Sequence, residues 1–363
     1  MKILTVVGAR PQFIKAAAVS RAIRDKYSNA IEEVILHTGQ HYDPNMSQIF
    51  FDELDIPKPK FNLEISGGGH GAMTGKMLEG IEDVLLQEQP DCLLIYGDTN
   101  STLAGAISAS KLHIPIAHVE AGLRSFNMRM PEEINRILSD RISSFLFCPT
   151  KTAVENLQSE GISSGVYLVG DVMYDVALFY QERAKKNSRI LQALGLDNKN
   201  YCLATCHRAE NTEDPQKLKN ILIAFSILAK DTPIVFPLHP RTKKFIVENN
   251  ISYLLDSIIT TAPLPFLDMI ALEQAATMIL TDSGGVQKEA FFYHTPCITL
   301  RDETEWVETV SLGWNQLAGA NTEAIVAAAQ RINMGANSIA KIHPYGNGNA
   351  SSEICHYLLK DGN

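Results

Sequence analysis

The chain has 363 residues, of which 45% are hydrophobic and 20% are charged, and these proportions are typical of a soluble globular protein. Its 32 basic and 41 acidic residues give a net charge of −9, which argues against a general nucleic-acid or anionic-membrane binder. The length exceeds that of one ordinary hydrophobic core, so we expect two domains.

The sequence also bears on compartment and cofactors. No apolar run approaches the roughly 20 residues of a membrane helix, and the first strand pattern begins too early to leave room for a signal peptide. Cys202, Cys206 and His207 are close enough to suggest a metal site. A second ligand pair at zinc spacing is missing, however, so buried reduced thiols are favoured. We therefore expect a cytoplasmic protein with neither a metal nor another cofactor.

Short apolar runs alternate with helical patterns along the first half of the chain. A helix pattern from Gln12 to about Asp25 follows the first strand, and the glycine-rich segment 66–75 is predicted to be a mobile surface loop. The alternation is the βαβ signature of a parallel sheet with helices on both faces. The predicted strands are 3–7, 34–38, 92–96, 115–119 and 144–148.

A second series of the same kind begins after residue 171, with predicted strands at 201–205, 232–237, 257–261, 278–281 and 296–300. We therefore predict an α/β protein made of two doubly wound, Rossmann-like domains. The first domain is predicted over 1–168 and the second over 169–348. A last helix, 349–363, follows a glycine-rich joint and is expected to pack back on the N-terminal domain.

The turn Gly8–Pro11 comes directly after the first strand and precedes a helix. Free backbone N–H groups at such a helix start favour an anion, and Arg10 and Lys15 add positive charge. The alternative is an ordinary cap. Basic residues at a helix N-terminus oppose the helix dipole, however, so a bound anion explains them better.

Three carboxylates follow strands or begin a helix in the first half: Asp98, Glu120 and Glu132. Because the carboxyl ends of parallel strands meet at one edge of a sheet, we expect them to share a cleft and to perturb one another's pKa. Arg136 lies one helical turn after Glu132 and suits an anionic substrate. The alternative is a solvated charged turn, with Asp98 acting only as a helix cap.

The second half repeats this arrangement of polar residues at strand ends. His207 follows one strand as a candidate acid, base or phosphate ligand, and His239 follows the next. The strongest local signal is Ser283-Gly284-Gly285, where a strand runs into a helix. There the backbone amides can approach a diphosphate, and the serine can cap the helix. Glu289 is placed to accept from ribose hydroxyls, and Arg301 ends the following strand. This pattern predicts a sugar-nucleotide site in a cleft between the two domains.

Taken together, these segments resemble the non-hydrolysing UDP-N-acetylglucosamine 2-epimerases over nearly the whole chain. Several such motifs in order are specific, whereas any one alone is not. The resemblance implies the two-domain GT-B fold with the substrate in the interdomain cleft, a homodimer, and a role in surface polysaccharide or lipopolysaccharide precursor biosynthesis. The matching segments are 8–11, 38–41, 97–99, 118–124, 131–136, 281–287 and 346–349.

The resemblance also implies a reaction and roles for residues. In this family C2 of a UDP-2-acetamido sugar is inverted by elimination of UDP, which gives a glycal, followed by re-addition with protonation of the opposite face. The implied catalytic positions are Asp98, Glu120, Glu132 and His207. The substrate-binding positions are Arg10, Lys15, Arg136, His239, Ser283, Gly284, Gly285, Glu289 and Arg301. Gln40 and His41 match a second, activating UDP-sugar site of some relatives.

Some residues depart from the family pattern, including Gln12, Trp306 and the short loop 125–130. These departures look more like the branch that acts on UDP-2,3-diacetamido-2,3-dideoxyglucuronate, whose C6 carboxylate would need an added cation such as Arg129 or Arg124. The same motifs are also compatible with a GT-B glycosyltransferase, a hydrolysing 2-epimerase or a non-catalytic sugar-nucleotide sensor.

Overall fold

The computed structural model describes residues 1–39, 58–197, 199–332 and 343–362, and it divides the chain into two compact units. The first unit contains Met1–Val176 and His343–Asn363, and the second contains Ala177–Ile342. Each unit has a parallel sheet with helices between its strands, so the prediction of two doubly wound α/β domains is confirmed.

The sheet of the first unit has β1 (Lys2–Val7), β2 (Glu32–His37), β3 (Phe61–Asn62), β4 (Cys92–Tyr96), β5 (Ile116–Val119), β6 (Phe145–Cys148) and β7 (Val166–Leu168). These strands lie in the order β3-β2-β1-β4-β5-β6-β7 and pair in parallel. The central strands are almost continuous runs of buried apolar residues, as expected when helices cover both faces of a sheet.

Two helices of the first unit begin at threonine caps, Thr99 and Thr150. Thr99, not Asp98, is the N-cap of its helix, with its hydroxyl accepting from the N–H of Thr102 at 3.3 Å. The predicted loop over 66–75 is wrong from His70 onward, because a helix starts there. The helices are α1 (Arg10–Ala22, continued by a π-helical turn at Ile23–Tyr27), α2 (His70–Glu88), α3 (Asn100–Lys111), α4 (Pro131–Ile142) and α5 (Lys151–Ser159). The next helix, α6 (Val172–Asn187), begins in the first unit and continues into the second.

The sheet of the second unit has β8 (Cys202–Thr205), β9 (Ile234–Pro237), β10 (Ile259–Thr261), β11 (Met278–Thr281), β12 (Cys297–Thr299) and β13 (Asn315–Leu317). The order is β10-β9-β8-β11-β12-β13, and the pairs are parallel. Apolar side chains from the helices and strands form one large core cluster on this sheet and a smaller one.

Short and medium-length helices connect these strands, with a 3₁₀ turn at Ser252–Leu255. Two of them begin with proline in the first turn, where its missing N–H costs nothing. They are α7 (Ile190–Ala193), α8 (Ala209–Thr212), α9 (Pro215–Leu228), α10 (Pro240–Glu248), α11 (Phe266–Ala275), α12 (Gly284–Phe292), α13 (Val307–Ser311) and α14 (Thr322–Ile332).

The last helix, α15 (Ala350–Asp361), packs against α1 in the first unit. The carboxylate of Asp175 accepts from the N–H groups of Ala350 and Ser351 at 3.1 and 2.8 Å, which satisfies the helix N-terminus. At its other end, the Tyr167 hydroxyl donates to Asp361 at 2.9 Å. The C-terminal segment is therefore an integral part of the first unit.

Each sheet has a switch point, where the order of the strands reverses from one half of the sheet to the other. In the first sheet this point lies between β1 and β4, and in the second it lies between β8 and β11. Loops that follow neighbouring strands at such a point diverge and leave a crevice at the carboxyl ends of the strands. The polar motifs of the sequence fall in these loops.

Candidate active site

In the first unit, the ends of β4 and β5 bring Asp98 and Glu120 to the same edge of the sheet as Lys15 of α1. The Lys15 and Glu120 side chains approach the backbone of Gly97 closely. A Cβ at Gly97 would lie 3.0 Å from Lys15 Nζ and 3.2 Å from Glu120 Oε2. Gly97 also has φ +61°, so both its conformation and its surroundings require glycine. Three residues predicted separately from the sequence thus share one small region.

Glu120 and Lys15 form a buried ion pair, in which the Lys15 ammonium contacts the Glu120 carboxylate directly. Glu120 has φ +75°, an uncommon backbone conformation for a residue with a side chain, which costs about 1 to 3 kcal/mol. Its N–H donates to the Phe147 carbonyl at 3.1 Å, which helps to hold this conformation. Strain of this kind is typical of functional sites, where neighbouring contacts fix a side chain in one direction.

Asp98 pairs with Arg136, whose guanidinium lies 2.5 Å from the Asp98 carboxylate. Desolvation raises the pKa of Asp98 above its ordinary value, and the nearby charges of Glu120 and Glu132 add to this rise. Arg136 and Lys15 oppose it. Asp98 is consequently a carboxyl group whose pKa is moved toward neutrality, as proton transfer requires, and about a third of its side chain is exposed (33%).

Arg136 is itself held by Glu133, which accepts from its Nε and NH2 at 2.9 and 2.8 Å. Glu133 also accepts from the N–H groups of Ser125 and Phe126 at 3.0 and 2.8 Å. Burial raises the pKa of Glu133, but these hydrogen bonds lower it by more. Its pKa is therefore below the ordinary value, and Glu133 stays ionised. One carboxylate thus fixes both the loop 125–130 and the arginine that holds Asp98.

The remaining predicted residues of the first unit are placed as follows. Glu132 is exposed on the first turn of α4, close enough for its charge to act on Asp98. Arg10 is the first residue of α1. Gln40 and His41, the predicted second site, lie outside the described residues.

Arg124 and Arg129 differ in their availability for an added carboxylate on the sugar. Arg124 is buried, and its three guanidinium nitrogens donate to Asp140, Glu160 and the Leu123 carbonyl at 2.7 to 2.8 Å. Four of its five N–H groups are therefore already donated within the protein. Arg129 is exposed on the loop 125–130.

Gln12, one of the departures from the family pattern, ties two loops together at the switch point. Its Oε1 accepts from the N–H groups of Gly8 and Ala9 at 2.9 and 3.0 Å. Its Nε2 donates to the Tyr96 carbonyl and the Thr102 hydroxyl, both at 3.0 Å. An amide suits this position because the side chain must both donate and accept.

In the second unit, Asp282 organises the loop after β8. Its buried carboxylate accepts from the N–H groups of His207 and Arg208 at 3.0 Å, and from Asn211 Nδ2 at 3.2 Å. The His207 ring is partly exposed, with Nδ1 3.7 Å from Asp282. Asp282 therefore fixes the backbone of His207 and leaves its ring accessible.

His207 and His239 lie close together, with ring centroids 6.0 Å apart. Nδ1 of His239 accepts from the N–H of Arg241 at 3.2 Å and caps α10. Desolvation, followed by the charge of His207, lowers the pKa of His239. Near neutral pH His239 is therefore a neutral imidazole, with Nε2 as the remaining donor.

The Ser283-Gly284-Gly285 turn begins α12 and follows β11, as predicted. The Ser283 hydroxyl caps the helix through the N–H of Val286 at 3.5 Å. A Cβ at Gly284 would lie 2.5 Å from Glu305 Oε1, whereas one at Gly285 would meet only the Ser283 hydroxyl, at 3.8 Å. A methyl group at Gly284 would therefore force the Glu305 carboxylate to move. Gly285 presents its backbone to open space, where an anion can approach the helix N-terminus.

Arg301 is buried beside this turn and retains unused hydrogen-bonding capacity. Its NH1 donates to Glu305 at 3.1 Å, but Nε and NH2 have no partner among the described residues. Buried donors without partners are costly, so a ligand oxygen is their natural complement. Glu289, half-buried on α12, lies between one and two turns further along the helix.

Several residues of these sites were not assigned from the sequence: Glu133, Asn135 and Asp282. Asn135 Nδ2 donates to the carbonyl of Asp98 at 2.8 Å. Asn135 therefore holds the backbone of Asp98, while Arg136 binds the Asp98 side chain. Each of the three lies within a segment the sequence singled out, but its role depends on a partner distant in the chain. What the three share in the structure is that each is a buried polar residue with hydrogen-bond partners from another segment.

No group of three or more His, Cys, Asp or Glu side chains within the described ranges is arranged to hold a metal ion. The six cysteines are free and buried, and desolvation raises the pKa of Cys92 and of Cys297 to about 12. In the same ranges, every helix is too short or too polar to cross a membrane.

The chain is similar to known proteins over nearly its whole length. The chain is 53% identical, over 99% of its length, to the whole of the UDP-2,3-diacetamido-2,3-dideoxy-D-glucuronate 2-epimerase of Pseudomonas aeruginosa. It is also 53% identical to a UDP-N-acetylglucosamine 2-epimerase homolog of Methanococcus maripaludis, with 99% of each chain covered. A glycosyltransferase from Rickettsia africae is similar in fold alone, with a TM-score of 0.60 at 14% identity.

The crystal structure of the Methanocaldococcus jannaschii UDP-GlcNAc 2-epimerase in complex with UDP-GlcNAc and UDP is similar at a TM-score of 0.92. Identity there is 45%, with 99% of this chain and 100% of that chain covered. The family model for UDP-N-acetylglucosamine 2-epimerase matches residues 24–359. Because this match and the relatives span nearly the whole chain, the protein belongs to the UDP-N-acetylglucosamine 2-epimerase family.

Proposed function

We propose that this protein inverts C2 of a UDP-2-acetamido sugar by eliminating UDP and adding it back to a glycal intermediate. The observation that carries the proposal is the cluster at the switch point of the first sheet. There, Asp98 and Glu120 are each paired with a buried cation, and the pKa of Asp98 is raised. Such a cluster suits proton transfer better than it suits binding alone.

The chemistry explains why several charged groups are needed. The proton on C2 is not next to a carbonyl, so it is not acidic by itself. It can leave if the C1–O bond to UDP breaks at the same time, which leaves a double bond between C1 and C2. Carboxylates can accept the proton, return one to the opposite face, and stabilise positive charge at C1. We assign these tasks to Asp98, Glu120 and Glu132 together.

The second unit supplies the groups that we assign to UDP. The amides of Gly284 and Gly285, the hydroxyl hydrogen of Ser283, and the two donor nitrogens of Arg301 that lack a partner among the described residues match a diphosphate. The amide of Ser283 itself already donates to the Thr281 hydroxyl at 2.9 Å. We assign Glu289 to the ribose hydroxyls. His207 and His239 are assigned to the phosphates, where a donated hydrogen bond makes UDP a better leaving group.

Arg10, Lys15 and Arg136 complete the proposed substrate set. In the described geometry, Lys15 and Arg136 bind Glu120 and Asp98. We therefore propose that they act mainly by holding the carboxylates, and that Arg10 provides charge at the start of α1.

We propose UDP-2,3-diacetamido-2,3-dideoxyglucuronate as a second candidate substrate beside UDP-GlcNAc. The enzyme of that name in Pseudomonas aeruginosa is 53% identical over 99% of this chain. A C6 carboxylate would need a cation, and Arg124 is already engaged by Asp140 and Glu160. This leaves exposed Arg129 for that role. An Arg129→Gln variant should lose activity on the uronate and keep activity on UDP-GlcNAc.

Proton NMR of both sugars in D2O, without any acceptor, tests the proposal. A mixture of gluco and manno epimers with loss of the C2 proton signal is expected. Release of free sugar and UDP would indicate a hydrolysing epimerase, and turnover only with an acceptor would indicate a glycosyltransferase. UDP-sugar binding without turnover would indicate a sensor.

We also propose that the protein works as a homodimer in the cytoplasm, in the synthesis of surface polysaccharide or lipopolysaccharide precursors. The family resemblance supports this assignment. Light scattering of the purified protein should give twice the chain mass, and deletion of its gene should remove the amino sugar from the cell-surface polysaccharide.

A further inference from the structure

We infer that His118 is a positioning residue, held as an imidazolium between Asp140 and the Gly97 carbonyl, and that it fixes the turn carrying Asp98. The inference rests on the proposed function, because the orientation of Asp98 matters to turnover only if Asp98 takes part in the reaction. His118 lies on β5, two residues before Glu120.

The hydrogen bonds of His118 determine its protonation state. The side chain is fully buried, with Nδ1 2.7 Å from Asp140 Oδ1 and Nε2 2.7 Å from the carbonyl oxygen of Gly97. A carbonyl oxygen can only accept, so Nε2 must carry a proton. An ionised carboxylate can only accept as well, so Nδ1 must also carry one. With either proton missing, two lone pairs would face each other at 2.7 Å.

The surroundings of Asp140 keep the carboxylate ionised and so keep the second proton on the ring. Its Oδ2 accepts from Arg124 NH1 at 2.7 Å and from the N–H of Gly122 at 3.1 Å. Burial raises the pKa of Asp140, but the hydrogen bonds and charges of His118 and Arg124 lower it by more, so its pKa is below the ordinary value. Arg124 is in turn held by Glu160. Two cations and two anions therefore form a charge-balanced network, which is buried at His118, Asp140 and Arg124 and reaches the surface at Glu160.

Cys148, on the neighbouring strand β6, is a titratable group close enough to Asp140 for the carboxylate charge to act on its thiol. Burial raises the pKa of its thiol well above the ordinary value. It stays neutral across the physiological range, so it neither supplies nor removes charge from the network.

The hydrogen bond from His118 completes the fixation of the Gly97–Asp98 turn. The N–H of Gly97 donates to the carbonyl of Val119 at 3.0 Å, and its carbonyl accepts from His118. The next carbonyl, that of Asp98, accepts from Asn135. Both peptide groups of the turn are therefore held, and the Asp98 side chain can point in only a narrow range of directions. A displacement of about 1 Å in such a group can slow a reaction by about 100-fold.

The first test is spectroscopic and independent of turnover. In protein labelled with ¹⁵N-histidine, the His118 resonances are identified by their loss in a His118→Gln variant. We expect both ring nitrogens to carry protons at neutral pH, because each faces an oxygen that can only accept. A His118 ring with one unprotonated nitrogen at neutral pH would overturn the inference, whatever the activity.

The second test separates positioning from folding. His118→Phe removes both hydrogen bonds, whereas His118→Gln keeps a donor for the Gly97 carbonyl. We expect kcat to fall roughly 100-fold for the phenylalanine variant and less for the glutamine variant, with KM within about twofold of the parent. His113→Asn, on the exposed turn before β5, is the matched control and should change neither constant. A folded His118→Phe variant with the parent kcat would contradict the inference.

The two proposals can fail separately. C2 exchange by the unmodified protein in D2O is measured first, and its absence would remove the proposed function. If exchange occurs and the ring of His118 is neutral, only the positioning role falls. If His118→Phe does not fold, the ring protonation of the unmodified protein and the kcat of His118→Gln still decide the question. If the His118→Gln variant binds less than one tenth as much UDP as the parent, it is counted as unfolded. The ring protonation of the unmodified protein then decides the question by itself.

Discussion

Alanine substitutions at the two adjacent glycines of the α12 turn should have opposite effects on stability. Helix propensity alone favours alanine over glycine by up to about 1 kcal/mol. At Gly285 the new methyl meets only the Ser283 hydroxyl, at 3.8 Å, so Gly285→Ala should be stabilising by up to that amount. At Gly284 it would lie 2.5 Å from Glu305 Oε1, and Glu305 is held by Arg301 at 3.1 Å. Overpacking there costs about 1 to 3 kcal/mol and outweighs the gain.

Urea unfolding and calorimetric titration with UDP together test this pair. We expect Gly285→Ala to unfold at a higher urea concentration than Gly284→Ala, by about 1 to 3 kcal/mol in free energy. Both variants should bind UDP at least about tenfold more weakly, since either methyl narrows the approach to the helix N-terminus. Equal stabilities would refute the packing argument at Gly284. Unchanged UDP affinity in Gly285→Ala would show that the diphosphate binds elsewhere.

Three further substitutions test the networks around the sites. Asp140→Asn deprives His118 of a buried anion and should lower the free energy of unfolding by about 3 to 5 kcal/mol near neutral pH. Because folding lowers the pKa of Asp140, this difference should shrink as the pH falls below about 4, and a pH-independent difference would be incompatible with the ion pair. Gln12→Glu places a carboxylate oxygen where Nε2 now donates to the Tyr96 carbonyl at 3.0 Å. The Gln12→Glu substitution should lower the free energy of unfolding by about 1 to 3 kcal/mol at neutral pH. The loss should be smaller in acid, because folding would raise the pKa of the new carboxyl group. Equal urea midpoints at both pH values would contradict the burial of a charged carboxylate there. Arg301→Met should weaken UDP binding at least about tenfold in calorimetry, and an unchanged affinity would remove that arginine from the site.

The parts of the fold that the sequence predicts well are those with one dominant signal. The strand Cys92–Tyr96 is a short run of buried apolar residues between polar turns, and the structure places β4 at the same residues. By contrast, β3, β7 and β13 have two or three residues each and include exposed positions. Edge strands of this kind carry too little hydrophobic pattern to be recognised, because their pairing depends on the rest of the sheet.

The glycine-rich segment 66–75 shows a different limit. Its composition predicts a loop, yet α2 begins at His70 and includes Gly71 and Gly75. The apolar face further along this helix, Met77 and Ile81 among others, is buried in the core and outweighs the low helix propensity of the glycines. Local propensity was the wrong guide here because tertiary packing decides.

For the site, the sequence predicts which residues gather at the strand ends but not which residues pair. Lys15 and Arg136 suggest phosphate ligands, whereas in the structure each binds a carboxylate of the cluster. Arg124 suggests a ligand for a sugar carboxylate, whereas Asp140 and Glu160 occupy it. Such pairs join residues far apart in the chain, so only the three-dimensional arrangement reveals them.

The central claim is that a proton leaves and returns at C2 through the carboxylate cluster, and a single turnover in D2O tests it most directly. With enzyme in excess over a protonated UDP-sugar, mass spectrometry should find one deuterium in the product epimer. The Asp98→Asn variant should form no epimer over the same period while still binding UDP. An epimer that retains its original proton, or an Asp98→Asn variant that turns over at the parent rate, would contradict the account.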